Sequence, residues 1–156
     1  MLIKTQYLLA ALIVAKDNVQ FVIRSGAIHI RAFNGHVVYD CRIKTTGTGG
    51  DKTFSISVAV AELIVKECPM VFTLPCDTCV DAVGDLDNRF NGSHYVGDKH
   101  YVGDKHYDWD DVALAQKALR IATGNLKGYF NLQYGGSTLA MGERNVRCAV
   151  VARNES

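Results

Sequence analysis

Residues 18–44, with the sequence NVQFVIRSGAIHIRAFNGHVVYDCRIK, decide the fold of this chain. Apolar and polar residues alternate along three successive segments, as they do in strands with one buried face. The segments are 18–26, 27–35 and 36–44. Ser25-Gly26 and Asn34-Gly35 lie at the junctions, and such pairs supply the positive φ angles of tight hairpin turns. The stretch therefore predicts three antiparallel strands joined by two hairpins.

The segment before these strands predicts a buried helix. Residues 5–16 are apolar on nearly every face, so we expect a sheet to cover one side of the helix and a neighbouring element to cover another. The run from Tyr7 to Ala15 also resembles the core of a signal peptide. It is too short to span a membrane, and Ile13 disfavours a cleavage site after Ala15, so the sequence favours the buried helix.

The same succession of elements recurs downstream. We expect a strand at 53–58, a helix at 59–67, a strand at 70–74 and two weaker strands between Cys79 and Tyr95. A third helix at 108–122 begins at aspartates that can cap it, and strands follow at 128–136 and 137–153, with a break near Gly142. The sequence thus predicts an α+β fold of about three βαβββ units, with antiparallel sheets and helices packed on one face.

A tandem hexapeptide interrupts this succession. YVGDKH occurs at 95–100 and again at 101–106, a duplication that a chain tolerates in an exposed connection. It brings His94, His100 and His106 to a regular spacing, for which a metal site and three solvent-facing side chains are both possible. We expect a clamp-like pair of units at 1–95, an exposed loop at 96–107, and a third helix-plus-strands unit at 108–156 that packs with the first.

Charge is balanced overall but unevenly distributed. The chain has 156 residues, 48% hydrophobic, and a formal net charge of +1, which is ordinary for a globular protein and by itself indicates neither a nucleic-acid nor a membrane partner. Residues 1–50 have a balance of +4, residues 77–111 of −6, and residues 112–156 of +4. Segments of opposite charge on a small protein favour self-association. Asp-rich turns alone could also produce the acidic segment at 77–111.

Cysteine usage favours a reducing compartment, and the sequence predicts no disulfide framework. There are five cysteines without regular spacing, so we expect a cytoplasmic protein. Pro75-Cys76-Asp77-Thr78-Cys79 resembles the PCxxC half of the zinc nucleoside deaminases. The best partner for the other half is Val60-Ala61-Glu62, in which valine occupies the position of the histidine ligand. Cys76 and Cys79 could still hold a metal, but deaminase chemistry is the least favoured interpretation.

Catalytic chemistry has little support elsewhere in the sequence. The glycine-rich stretch 47–53 resembles a phosphate-binding loop, but Asp51 precedes the lysine and a predicted strand follows. His29 and His36 lie in predicted strands, where hydrogen-bonded histidines are common, and no nucleophile with an adjacent base is apparent. We therefore expect a protein that is not an enzyme and needs no cofactor.

The succession of elements resembles that of the sliding clamps, the ring-shaped processivity factors of DNA polymerases. The likeness is carried by LLAALIVA (8–15), VQFVIRSGAIHIRAFNGHVVYDCRI (19–43), FSISVAVAELIVKECP (54–69), ALRIATGN (118–125) and YFNLQYGGSTLAMGERNVRCAVVAR (129–153). It implies a clamp-like homo-oligomer whose helices face DNA and which binds a polymerase or another protein, with no membrane partner. The family pairs two units per domain, whereas three units would give one and a half domains.

The resemblance also implies which side chains would meet phosphates. These are the basic residues of the predicted helices, Lys16, Lys66, Lys117 and Arg120. Four such charges are few for a surface that holds DNA electrostatically. A second class of function therefore remains open: a non-enzymatic structural or host-inhibitory component, of viral origin for example, that binds protein through its sheet edges and charge poles.

Overall fold

The computed structural model describes residues 2–24, 26–45, 51–73, 80–81, 107–135 and 138–152. Its elements, in chain order, are β1 (Leu2–Lys4), α1 (Thr5–Val14), β2 (Asn18–Arg24), β3 (Ala27–Phe33), β4 (Val37–Lys44), β5 (Lys52–Ser57), α2 (Val58–Glu67), β6 (Val71–Thr73), β7 (Val80–Asp81), α3 (Trp109–Thr123), β8 (Leu132–Gly135), β9 (Thr138–Gly142) and β10 (Val146–Val151). Most predicted elements are present, with ends that differ by a few residues.

Eight of the described strands form one antiparallel sheet in the order β7-β5-β2-β3-β4-β10-β9-β8. The predicted triplet β2-β3-β4 is its centre. The β3–β4 turn forms because Asn34 Oδ1 accepts hydrogen bonds from the backbone N–H groups of His36 (2.8 Å) and Val37 (2.7 Å). Gly35 in this turn has a φ of +102°, which glycine adopts at little cost. The turn chemistry predicted from the sequence is therefore present.

A second, two-stranded sheet was not predicted. It consists of β1 and β6, which pair antiparallel with Ile3 opposite Phe72. Ile3 and Phe72 are buried, whereas Leu2 and Val71 are exposed. A strand was expected near β6 but none at β1, because a three-residue strand is too short to show an alternating pattern. Its partner lies far along the chain, so the pairing is visible only in the structure.

The helices lie on one face of the large sheet. Helix α1 contacts both α2 and α3 and packs on β3 and β4, as its uniformly apolar sequence predicted. The core between the layers includes Leu8 of α1, Phe21 of β2 and Leu119 of α3, all fully buried. The Tyr39 hydroxyl donates a hydrogen bond to the Tyr7 carbonyl (3.0 Å), which ties β4 to α1.

Helix α3 begins and ends at the residues expected of a helix. The Asp108 side chain accepts a hydrogen bond from Asp110 N (2.8 Å), and Gly124 ends the helix in the left-handed conformation at a φ of +75°. Beyond it, β10 pairs with β4, Arg147 opposite Asp40. The predicted strand at 137–153 is divided at Gly142 into β9 and β10, as expected.

The protein is an α+β fold of antiparallel sheets with helices packed on one face, as the sequence predicted. The tandem hexapeptide, its three histidines and the PCDTC motif lie outside the described residues. The same is true of most of the glycine-rich stretch and of the weaker strands predicted before Tyr95, except for β7. No helix in the described ranges is long and apolar enough to cross a bilayer.

Candidate nucleic-acid interface

The four basic residues selected from the sequence lie on or next to the helical layer. Lys16 follows α1, Lys66 is in the last turn of α2, and Lys117 lies in the middle of α3, and all three are exposed. Arg120 is half-buried one turn after Lys117. The first three side chains are thus available to a ligand that approaches the helices.

Arg120 has a local structural role. Its Nε donates a hydrogen bond to the Gly128 carbonyl (2.8 Å), and its guanidinium carbon lies 4.7 Å from the centre of the Tyr129 ring. Tyr129 is 83% exposed, so this cation–π contact is at the surface. Arg120 therefore holds the connection between α3 and β8, and part of its hydrogen-bonding capacity is used there.

Charge within the helical layer is balanced. Helix α1 has no charged residue. Helices α2 and α3 together carry Lys66, Lys117 and Arg120 against Glu62, Glu67, Asp110 and Asp111, a balance of three cations and four carboxylates. Phosphate binding depends on neutralisation by cations, so a net charge near −1 gives this layer little general attraction for DNA.

A buried polar cluster lies on the opposite face of the sheet, which we call the helix-free face because none of the helices described in the structure packs on it. Asp40 Oδ1 lies 2.9 Å from His29 Nδ1 and 3.4 Å from Arg31 Nε. Burial alone would raise the pKa of Asp40, but the His29 hydrogen bond and the charges of His29 and Arg31 lower it below its usual value. His29 is therefore a hydrogen-bonded sheet histidine, as the sequence suggested.

Sequence reasoning missed further basic residues on this face. Arg24, Arg42, Lys44 and Arg147 are exposed, in strands β2, β4 and β10. The signal was available, since each stands one position from a residue that packs in the core, and side chains alternate between the faces of a strand. The family resemblance points to the helices, whereas the alternation of side chains along the strands points to this second surface.

Two of the described cysteines are buried thiols. Cys41 and Cys148 are buried, and Cys68 is half-buried. Burial raises the pKa of Cys41 to about 12 and also raises that of Cys148, so both remain protonated thiols at neutral pH. Across the described ranges, no three His, Cys, Asp or Glu side chains are grouped so that they could hold a metal ion. Cys76 and Cys79 lie outside those ranges.

Comparison with known proteins identifies the fold. No family model and no curated protein matches the sequence. Among solved structures, the DNA polymerase III subunit beta sliding clamp of Bartonella birtlesii aligns with 100% of this chain and 65% of its own, with a TM-score of 0.67 and 8% identity. The beta subunit of Pseudomonas aeruginosa has a TM-score of 0.60 over 100% of this chain and 65% of its own, at 9% identity.

The DNA polymerase III beta subunit of Thermotoga maritima gives a similar result, with a TM-score of 0.58, 10% identity and coverage of 99% of this chain and 64% of its own. This chain thus spans slightly less than two thirds of the clamps that it matches. Sequence identities this low are evidence for a shared fold and not for a shared function. The resemblance predicted from the sequence is confirmed at that level: the protein has a sliding-clamp-like fold.

Proposed function

We propose that the protein is a non-catalytic, oligomeric clamp-like factor that tethers a polymerase or another protein to DNA. The observation that carries the proposal is the likeness to DNA polymerase sliding clamps over the entire chain. The helices lie side by side on one face of the sheet, an arrangement in which they could line a channel. In this role the protein holds its partner by topology and needs no reactive side chain.

Assembly would use the ends of the large sheet. Its outermost strands in the described part of the chain are β7 and β8, which differ in length and sequence. Edge strands can pair with other chains through their backbone groups, and pairing of unlike edges gives a head-to-tail interface that closes into a ring when the rotation permits. Since the chain spans 65% of the matched clamp, we expect a closed ring to contain several copies.

The native mass is the first test. We expect light scattering on DNA-free protein to give a discrete small oligomer. The oligomer, once loaded, should be retained on a nicked circular DNA and should slide off the same DNA after linearisation. A monomer, or equal retention on circular and linear DNA, would contradict topological tethering.

Contact between helices and DNA is the second element of the proposal. We expect Lys16, Lys66 and Lys117, with a smaller contribution from Arg120, to meet phosphates. The variant that tests it is Lys16→Gln/Lys66→Gln/Lys117→Gln, which changes exposed side chains. Arg120 is left intact because its bond to Gly128 supports the fold. We expect this variant to lose salt-dependent DNA binding. Unchanged binding would show that these helix residues do not contact DNA.

A second candidate function is a non-enzymatic interaction protein, structural or inhibitory, that binds another protein through the same layer. The charge balance of the helices and the exposure of Leu9 and Leu63 favour it, because a nearly neutral, partly apolar surface suits protein contact better than DNA. A monomer in light scattering that shows no affinity for DNA at low salt would favour this second candidate.

A further inference from the structure

The helix-free face of the large sheet carries an exposed basic patch, formed by Arg24, Arg42 and Lys44. Their neighbours Ile23, Cys41 and Ile43 belong to or pack against the core beneath the helices. Because side chains alternate along a strand, the three basic residues point to the opposite face. We call this surface the sheet-face patch.

Strand register places the patch residues close together. Ala27 pairs with both Arg24 and Lys44, so these two lie in one row across β2, β3 and β4, about 10 Å apart at the backbone. Arg42 follows on the same face of β4, about 7 Å from Lys44. His29, opposite Arg42, stands in the same row of the sheet as that arginine and contacts Asp40. The patch residues are thus close together on one face of the sheet.

The charge of this face contrasts with that of the helices. The strands β2, β3, β4 and β10 place Arg24, Arg31, Arg42, Lys44 and Arg147 on it, against one carboxylate, Asp40. Asp40 is buried and contacts His29 and Arg31. Five cations against one carboxylate give these strands a balance of +4, where the helices have −1.

We propose that the sheet-face patch binds the phosphate backbone of a nucleic acid. Arginine presents a planar fork of N–H donors that matches phosphate oxygens, and a cluster of such cations gains affinity by releasing condensed counterions. Recognition through phosphates is then independent of base sequence. This proposal rests on the proposed function, from which it takes DNA as the partner. It places the contact on the sheet-face patch, whereas the proposed function places it on the helices.

The test compares two variants that remove the same number of charges. Arg24→Gln/Arg42→Gln/Lys44→Gln neutralises the patch, and Lys16→Gln/Lys66→Gln/Lys117→Gln is the matched control on the helical side. Binding to a fluorescent DNA duplex is measured by anisotropy between about 50 and about 200 mM salt. Loss of three phosphate contacts should reduce the slope of log K against log salt by about 2.7 and weaken binding at the lowest salt by about tenfold or more.

The outcomes separate the two proposals. A reduced slope in the sheet-face variant supports the patch whatever the control does, and an unchanged slope overturns it. Loss of binding in the control alone supports the helix contact and overturns the patch, whereas a wild-type protein without affinity for DNA overturns both.

Two further measurements keep the test decisive. Polyglutamate that binds as tightly as DNA would assign the patch to an acidic protein and overturn the nucleic-acid proposal. If the triple variant is not folded by circular dichroism, Arg42→Gln/Lys44→Gln replaces it, with an expected change in slope of about 1.8.

Discussion

The side chain of Gln116 makes two hydrogen bonds to the backbone of Phe130. Its Nε2 donates to the Phe130 carbonyl (3.1 Å) and its Oε1 accepts from the Phe130 N–H (3.0 Å). Gln116 is buried in α3, and Phe130 precedes β8. These two bonds therefore supply hydrogen-bond partners for a backbone segment that belongs to no helix or strand. They also fix the position at which the last strands begin.

Replacing Gln116 with leucine should destabilise the protein by about 2–4 kcal/mol, because it leaves a buried N–H and a buried carbonyl of Phe130 without partners. Urea denaturation followed by circular dichroism measures the change. Gln133→Leu is the control: this glutamine is exposed in β8, and we expect a change within about 0.5 kcal/mol. Similar losses in both variants would refute the role given to the Gln116 bonds.

Gly142 divides the last two strands for a steric reason. Its φ is +139°, and a Cβ at this position would lie 2.8 Å from the Arg147 Cα and would collide with the Val146 carbonyl oxygen. Gly142→Ala should therefore cost about 3 kcal/mol or more in the free energy of unfolding. Gly35→Ala is the comparison, since Gly35 has a φ of +102° with open space around it, and we expect about 1 kcal/mol there. Thermal denaturation measures the loss of stability in both variants. Equal losses would contradict a steric collision at Gly142.

The fold could be predicted where local chemistry and burial agree. The hairpins of β2, β3 and β4 were marked by alternation and by Asn34-Gly35, and α3 by Asp108. Strand β8 was predicted from 128 but begins at Leu132, because residues before it are held by Gln116 and Arg120. Such side-chain contacts are set by tertiary packing and leave no periodic signal in the sequence.

The candidate site was less predictable than the fold. The family resemblance implies contact through basic residues of the helices, whereas the structure concentrates positive charge on the helix-free face. Arg42 and Lys44 share one face of β4, which alternation could have shown. That Arg24 stands in the same row as Lys44 depends on strand pairing through Ala27, which only the structure supplies.

The buried thiols should resist alkylation in the folded protein. Because burial raises the pKa of Cys41 to about 12 and also raises that of Cys148, little thiolate is present at pH 8, and access is blocked as well. We expect Cys68, which is half-buried, to react with iodoacetamide before either of them. Peptide mapping by mass spectrometry, in a Cys76→Ser/Cys79→Ser background, measures labelling. All three should be labelled in denaturant, and rapid native labelling of Cys148 would contradict the buried β10.

Asp40 should make stability depend on pH in the acid range. Its pKa is lowered from a usual value of 3.8, because the effects of His29 and Arg31 outweigh the opposing effect of burial. A carboxyl with a lower pKa when folded binds fewer protons folded than unfolded, so its stabilisation is complete well above pH 3.8 and is lost as the pH falls through the folded value.

Asp40→Asn should therefore reduce the free energy of unfolding at pH 7 by about 2–3 kcal/mol, because Arg31 and His29 lose their buried counter-charge. The deficit relative to wild type should shrink as the pH falls below 3.8 through the lowered pKa of the folded state, because the native carboxyl then takes up a proton. Urea denaturation at a series of pH values measures this difference, with the exposed Asp17→Asn as control. A deficit that does not shrink as the pH falls would show that Asp40 acts through shape and hydrogen bonding alone, and would refute the electrostatic account of this cluster.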